Sequence, residues 1–235
     1  MTAVATAPAV VRVGKDDLRR LFSDLDVVKR VASVLGIPPV GLDEPFGRVL
    51  HGHDPQDRSA TLRRNRKGVI VYHDQHKPGA TKVYTLPQVY FAQRTSKEQR
   101  LRGPTHAVWA LDLLRAAGIL RPVDDVGLAD LPDSASPTVQ RVYMGFRRLL
   151  AVKWTYETGA QPVAFSWRFG AAWCNVSEHQ AGEAIRELLR LKIIHIAKHI
   201  PGRFDKRMAL FMPGPGRTAE GAASSITSRH DDEGA

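Results

Sequence analysis

Ser177 stands just before a run in which Ala181, Ala184, Ile185, Leu188 and Leu189 recur at three- and four-residue spacing. That spacing gathers them on one face of an α-helix, and a serine hydroxyl there can accept from the free N–H groups of the first turn. Residues 178–191 are therefore expected to form a capped amphipathic helix. A single apolar face needs a partner surface. The neighbouring sequence supplies one. Residues 138–155 repeat the pattern with Val142, Phe146, Leu149, Leu150 and Val152 inward, and a short helix at 165–173 precedes the turn Cys174-Asn175-Val176. Downstream, apolar strands at 193–199 and 207–212 flank a basic, glycine-containing loop at 200–206. Trp167 and Trp173, beside Phe165 and Phe169, are expected in the core. Cys174 is the only cysteine, so no disulfide can form within the chain; it is expected to be a small buried residue at the turn.

Helix, helix, tight turn, capped helix and β-hairpin is the order of a winged helix-turn-helix. In that motif the second helix enters the major groove with its N-terminal residues on base edges, while flanking elements touch phosphates. Ser177, His179, Gln180, Glu183 and Arg186 are then the helix residues expected to face DNA, and Lys198, Arg203, Lys206 and Arg207 of the hairpin meet the backbone. The segment PVAFSWRFGAAWCNVSEHQAGEAIRELLRLKII also resembles the winged-helix domains of replication and regulatory proteins of bacterial plasmids, phages and integrative elements. The resemblance covers about a third of the chain and implies double-stranded DNA as partner, together with other replication proteins. A winged helix used for protein contact is the alternative.

Charge supports a polyanionic partner. Lys and Arg number 34 against 24 Asp and Glu, a formal +10, and each cation that neutralises a phosphate releases condensed counterions. The excess is concentrated: residues 58–121 hold thirteen Lys and Arg against three carboxylates, and residues 138–212 hold twelve against five. Between these blocks, 121–137 (RPVDDVGLADLPDSASP) lacks periodicity and reads as a linker. The tail at 213–235 is poor in apolar residues and is expected to be disordered; residues 1–14 read as a flexible lead.

The N-terminal block mixes periods. Helical spacing at 16–35 allows Ser23 or Asp24 to cap a second helix inside the run, which Gly36, Pro38 and Pro39 end. Short β-rich pieces at 48–50, 69–73 and 82–86 alternate with polar turns at 51–59 and 74–80, and helices return at 86–100 and 104–117. The expected fold class is α+β: a small N-terminal α/β-hairpin domain at 16–120 and a C-terminal winged helix at 138–212.

Residues 25–95 resemble the N-terminal zinc-ribbon domain of bacterial and phage DNA primases. LHGHDPQDRSATL lies where that family has a Cys-x-x-His pair, with His53 on the His position. VYHDQH lies where it has Cys-x-x-Cys, with His73 and His76 at the two-residue gap. The first cysteine position is Leu50, and both later cysteines are histidine. His51, His53, His73 and His76 could close a tetrahedron around zinc. The preferred reading is a metal-free, degenerate ribbon held by its own core.

The motifs of catalysis are missing. No Gly-x-x-x-x-Gly-Lys-Ser/Thr loop is present to cradle phosphates. Between residues 95 and 137 the aspartates are Asp112 and then Asp124, Asp125, Asp130 and Asp133 of the linker, without strands to seat them around metal ions. The N-terminus lacks the pattern of a signal peptide, and no apolar run approaches the ~20 residues of a spanning helix. The expectation is a cytoplasmic, non-enzymatic DNA-binding protein. Its role would be replication initiation or an accessory step on a mobile element or phage. Transcriptional regulation, a primase-like metal-dependent remnant and a winged-helix adaptor are the rivals.

Overall fold

The computed structural model describes residues 14–50, 57–77, 80–121, 123, 125–156, 160–201 and 207–215. Among them are seven helices and two three-stranded antiparallel sheets, a mixed α+β architecture. No described helix is long and apolar enough to cross a membrane. The chain divides into two compact units, Met1–Asp124 with Leu149–Gln161, and Asp125–Arg148 with Pro162–Ala235.

The first unit opens with α1 (Lys15–Leu21) and α2 (Leu25–Val34). Asp24 separates them because its carboxylate accepts from the Asp26 and Val27 N–H groups, satisfying two donors that have no partner inside α2. Val28, Val31 and Ala32 form the buried face of α2, whereas Leu25, in its first turn, is 38% exposed. The sheet follows as β1 (Ala60–Arg64), β2 (Ile70–Lys77) and β3 (Ala80–Thr85), paired in that order. Residues 48–50, expected as a strand, are not one. The strand lies instead at Ala60–Arg64, directly after the expected 51–59 turn, in residues whose spacing suggested no element. Tertiary pairing overrides that local reading, as β1 pairs with β2 and Phe46 makes a single bridge to Ala60.

Beyond that bridge, two side-chain bonds tie the 46–50 segment to the sheet. Arg48 Nε donates to Asp74 Oδ2 at 2.7 Å with both side chains nearly inaccessible, and the Val49 N–H donates to the Tyr72 hydroxyl at 3.2 Å. Removing one partner of so buried a pair costs about 3–5 kcal/mol, because the remaining charge is left uncompensated. Burial pushes the Tyr72 phenol up to about 12. Helix α3 (Leu86–Thr95) ends where Ser96 turns left-handed at φ 55°, five residues before the periodicity suggested. Gln93 Nε2 donates to the carbonyls of Leu35 and Val49, fastening α3 to both segments. Helix α4 (Gly103–Ala116) buries Trp109, against whose ring Tyr90 and Phe91 pack edge-on at 5.9 and 5.2 Å.

The second unit begins with coil at 125–136, in which Val126 is buried. Ser136 Oγ accepts from the Val139 N–H at the start of α5 (Pro137–Tyr156), a helix whose residues to Arg148 belong to this unit and whose remainder belongs to the first. Then come β4 (Val163–Ala164), α6 (Trp167–Cys174), α7 (Glu178–Arg190), β5 (Ile194–Pro201) and β6 (Arg207–Pro213). The sheet order is β4-β6-β5, so the short strand before α6 closes onto the last strand of the chain's hairpin. Ordered structure reaches past the expected end: the Gly214 N–H donates to the Ile193 carbonyl at 2.7 Å.

The core of this unit is aromatic. Phe146 and Phe165 meet edge-on at 5.2 Å, and Phe169 stacks on Trp173 at 5.5 Å. Trp173 is fully buried, and its indole N–H donates to the Gly145 carbonyl at 2.8 Å. Arg148 lies over the same ring at 4.4 Å and donates to the Trp173 carbonyl. Trp167, expected in this core, is 61% exposed. Side chains in a helix lean toward its N-terminus. Trp167 is the first residue of α6, so no preceding turn exists for it to pack on. Its ring lies instead beside Gly182 of α7.

Candidate nucleic-acid interface

Helices α6 and α7 are joined by Asn175, Val176 and Ser177. The corner is sharp because Asn175 adopts the left-handed conformation, φ 53° and ψ 56°, which asparagine tolerates better than other side-chain-bearing residues. The Val176 N–H donates back to the Ala171 carbonyl, closing the end of α6. Ser177 then caps α7: its hydroxyl accepts from the Gln180 N–H at 3.1 Å, and Gln180 Oε1 accepts from the Ser177 N–H at 3.0 Å. This reciprocal pair satisfies two backbone donors and fixes where α7 starts.

The capping pair changes the expected role of Gln180. Its side-chain oxygen is committed to the Ser177 backbone, so it cannot offer the oxygen-and-amide pair that reads adenine without giving up the cap. His179 is exposed in the same turn and has no hydrogen-bonding partner among the described residues. One turn further, Glu183 holds Arg186 in an ion pair between side chains that are both more than half exposed. Glu178 pairs with Arg168 at 3.5 Å and Glu187 with Arg190 at 2.5 Å. The exposed face of α7 thus presents cations already engaged by its own carboxylates.

The hairpin differs. Ile194 anchors β5 in the core, and the next five residues, His195 to His199, are all exposed. The register of β5 against β6 shifts between Ile196 and Lys198, a bulge that twists the ribbon locally. Lys198 lies at this bulge, exposed and without an ion-pair partner among the described residues. Arg203 and Lys206 lie outside the described residues, and so does the side chain of Arg207, whose backbone opens β6. Of the residues expected to face DNA, Ser177 caps α7, His179, Gln180, Glu183 and Arg186 lie on α7, and Lys198 lies on β5. Sequence reasoning missed Trp167, whose ring borders α7; its position directly after the cap residue Ser166 was the available signal.

Of the four expected metal ligands, His51 and His53 lie outside the described residues, as does the side chain of His76. His73 is half-buried on β2, opposite Thr61 of β1 and Val83 of β3. Burial first, and then the Arg63 guanidinium, holds its imidazole below the usual range. Among the described residues no group of three or more histidines, cysteines or carboxylates is placed to hold a metal ion. Asp112 has a structural role: it is fully buried, accepts from the Tyr90 hydroxyl at 3.1 Å and pairs with Arg115 at 2.9 Å.

No protein-family model, no curated protein and no solved structure matches the chain.

Proposed function

We propose that the second unit is a winged helix-turn-helix and that the protein binds duplex DNA through it. The observation that carries this reading is the order α5, β4, α6, α7, β5, β6 with sheet pairing β4-β6-β5. In this arrangement α7 is the helix for the major groove and the β5–β6 hairpin is the wing. The sharp turn at Asn175, the cap at Ser177 and the exposure of His179 and Lys198 supply what each part needs. In this reading His179 reaches base edges, Lys198 meets phosphate, and the capping pair of Ser177 and Gln180 sets the depth of the helix. The process served is replication initiation or an accessory step on a mobile element, with transcriptional regulation as the alternative; neither requires chemistry from this chain.

The exposed Trp167 and the internally paired charges of α7 favour a second reading, in which the same face docks a protein. Fluorescence anisotropy with labelled duplex DNA separates the two. Duplex affinity is expected to fall steeply with salt. Lys198→Ala is expected to weaken binding to all sequences and to flatten the logarithmic salt slope by about 0.9, the contribution of one phosphate contact. Salt-independent binding, or none, leaves the protein-docking reading in its place.

A further inference from the structure

The first unit contains a half-open groove of about 1270 Å³ between β3, the 98–104 segment and the first turns of α4. Its volume exceeds the 300–1,000 Å³ typical of small-molecule pockets, so it suits a segment of a polymer. Five cations line it, Arg19, Lys82, Arg100, Arg102 and Lys153, against one carboxylate, Glu98. Glu98 is already engaged by the Tyr84 hydroxyl at 2.6 Å and by Lys82 at 3.3 Å, and Arg19 is paired with Asp16. Arg100 and Arg102 are exposed and have no ion-pair partner among the described residues. The floor is apolar where Leu86, Val108 and Leu111 are buried, and Val83 is 53% exposed at its edge. His106, also in the lining, is hydrogen-bonded to Thr85 Oγ1 at 2.9 Å.

We propose that this groove binds single-stranded nucleic acid, with Arg100 and Arg102 on its phosphates and bases turned toward Val83 and the apolar floor. A basic track beside aromatic groups on which bases stack is how proteins hold single strands with little sequence preference, and Tyr84 lines this groove next to Val83. A duplex carries its phosphates on a rigid convex surface and does not thread into a concave groove. A purely acidic peptide such as poly-glutamate would match the charge but has no planar groups for the floor, whereas a single strand carries one base for every phosphate. The assignment is independent of the duplex reading for the second unit, so the protein would hold a duplex on one unit and a single strand on the other.

The test uses the full chain, a fluorescein-labelled oligo-dT of about 20 nucleotides and a labelled duplex. The double variant Arg100→Glu/Arg102→Glu is expected to weaken oligo-dT binding at least tenfold. It should also flatten its salt slope by about 1.4, two single-strand phosphate contacts, and leave duplex affinity unchanged. Arg66→Glu/Lys67→Glu, at exposed positions in the β1–β2 turn outside the groove lining, makes the same change in net charge and is expected to leave oligo-dT binding intact. Val83→Glu is a milder probe at an exposed position should the double variant melt early, and is expected to weaken oligo-dT binding as well. Equal losses in groove and control variants overturn the proposal, because the binding is then a matter of net charge. So does parental oligo-dT affinity in a folded groove variant, and so does a groove that binds poly-glutamate but not oligo-dT. Failure of the parental chain to bind the duplex, with its oligo-dT binding intact, overturns the winged-helix reading and leaves the groove standing.

Discussion

At position 145 a single methyl group is too much. A Cβ at Gly145 would collide with Cys174 Sγ and sit 3.4 Å from Trp173 Cδ1. The close approach lets α5 pass α6 and lets the Gly145 carbonyl accept the Trp173 indole. Gly145→Ala is therefore expected to destabilise the second unit by about 1–3 kcal/mol through overpacking. Adding Cys174→Ala removes the clashing sulfur, and denaturant melts of the double variant are expected to recover part of the loss; simple additivity of the two costs argues against the clash. Burial pushes the Cys174 thiol up to about 11, so it stays protonated at neutral pH and serves as filling. His106 gives a pH signature. Burial holds its imidazole below the usual 6.5. Between 6.5 and its folded value the unfolded chain carries a proton that the folded chain refuses, so stability rises with pH across that window. Acidification through 6.5 is expected to lower the melting temperature, and His106→Gln is expected to shrink that acid-side loss. An unchanged loss assigns it to other groups, among them His73, which shifts in the same direction.

At the scale of the element, α7 separates positioning from reading. Gln180 and His179 are adjacent in sequence, yet the capping pair uses one and leaves the other exposed. Gln180→Ala is expected to cost up to about 1 kcal/mol of stability, as a weakened cap does, and to lower affinity for every duplex alike. His179→Ala is expected to leave the melting temperature unchanged and to lose roughly 1–3 kcal/mol of discrimination between a selected site and random duplex. Site selection from a random library followed by competition binding measures both. The reverse outcome, with Gln180 carrying discrimination and His179 none, means that the cap opens on binding. The end of α3 obeys a comparable local rule. Apolar and polar residues alternate helically through Arg100, but left-handed Ser96 stops the helix and frees the 98–104 segment to line the groove.

At the scale of the whole molecule, neither unit is a single uninterrupted stretch of chain. The first division falls at 124/125, and Leu149–Gln161 returns to the first unit. Thr155 marks the return: its hydroxyl accepts from the Val123 N–H at 3.3 Å and donates to the Ala151 carbonyl. A fragment of residues 1–124 therefore lacks part of its own unit. It is expected to melt below the full chain's first transition, and adding a peptide of residues 149–161 in trans is expected to raise its melting temperature. A fragment 1–124 as stable as that unit in the full chain shows that the end of α5 contributes nothing to it. Residues 125–136 also hold more than a linker needs, since Val126 is buried among them.

What the sequence determined alone was whatever depends on near neighbours along the chain. Helical spacing placed α5, α6 and α7 to within a few residues, because burying one face of a helix writes a period into the residues themselves. The Ser177 cap and the Asn175 turn were legible because each rests on bonds spanning three to five residues. What escaped depends on distant partners. Strand β1 exists because β2 offers it a ladder, and β4 because β6 does; neither two-residue Val163–Ala164 nor polar Ala60–Arg64 carries a strand signal of its own. The exposure of Trp167, the commitment of Gln180 to its cap and the gathering of Lys82, Arg100 and Arg102 around one groove are likewise decisions of the folded chain. Packing sets which face of a side chain meets solvent, and residues far apart in sequence do that packing.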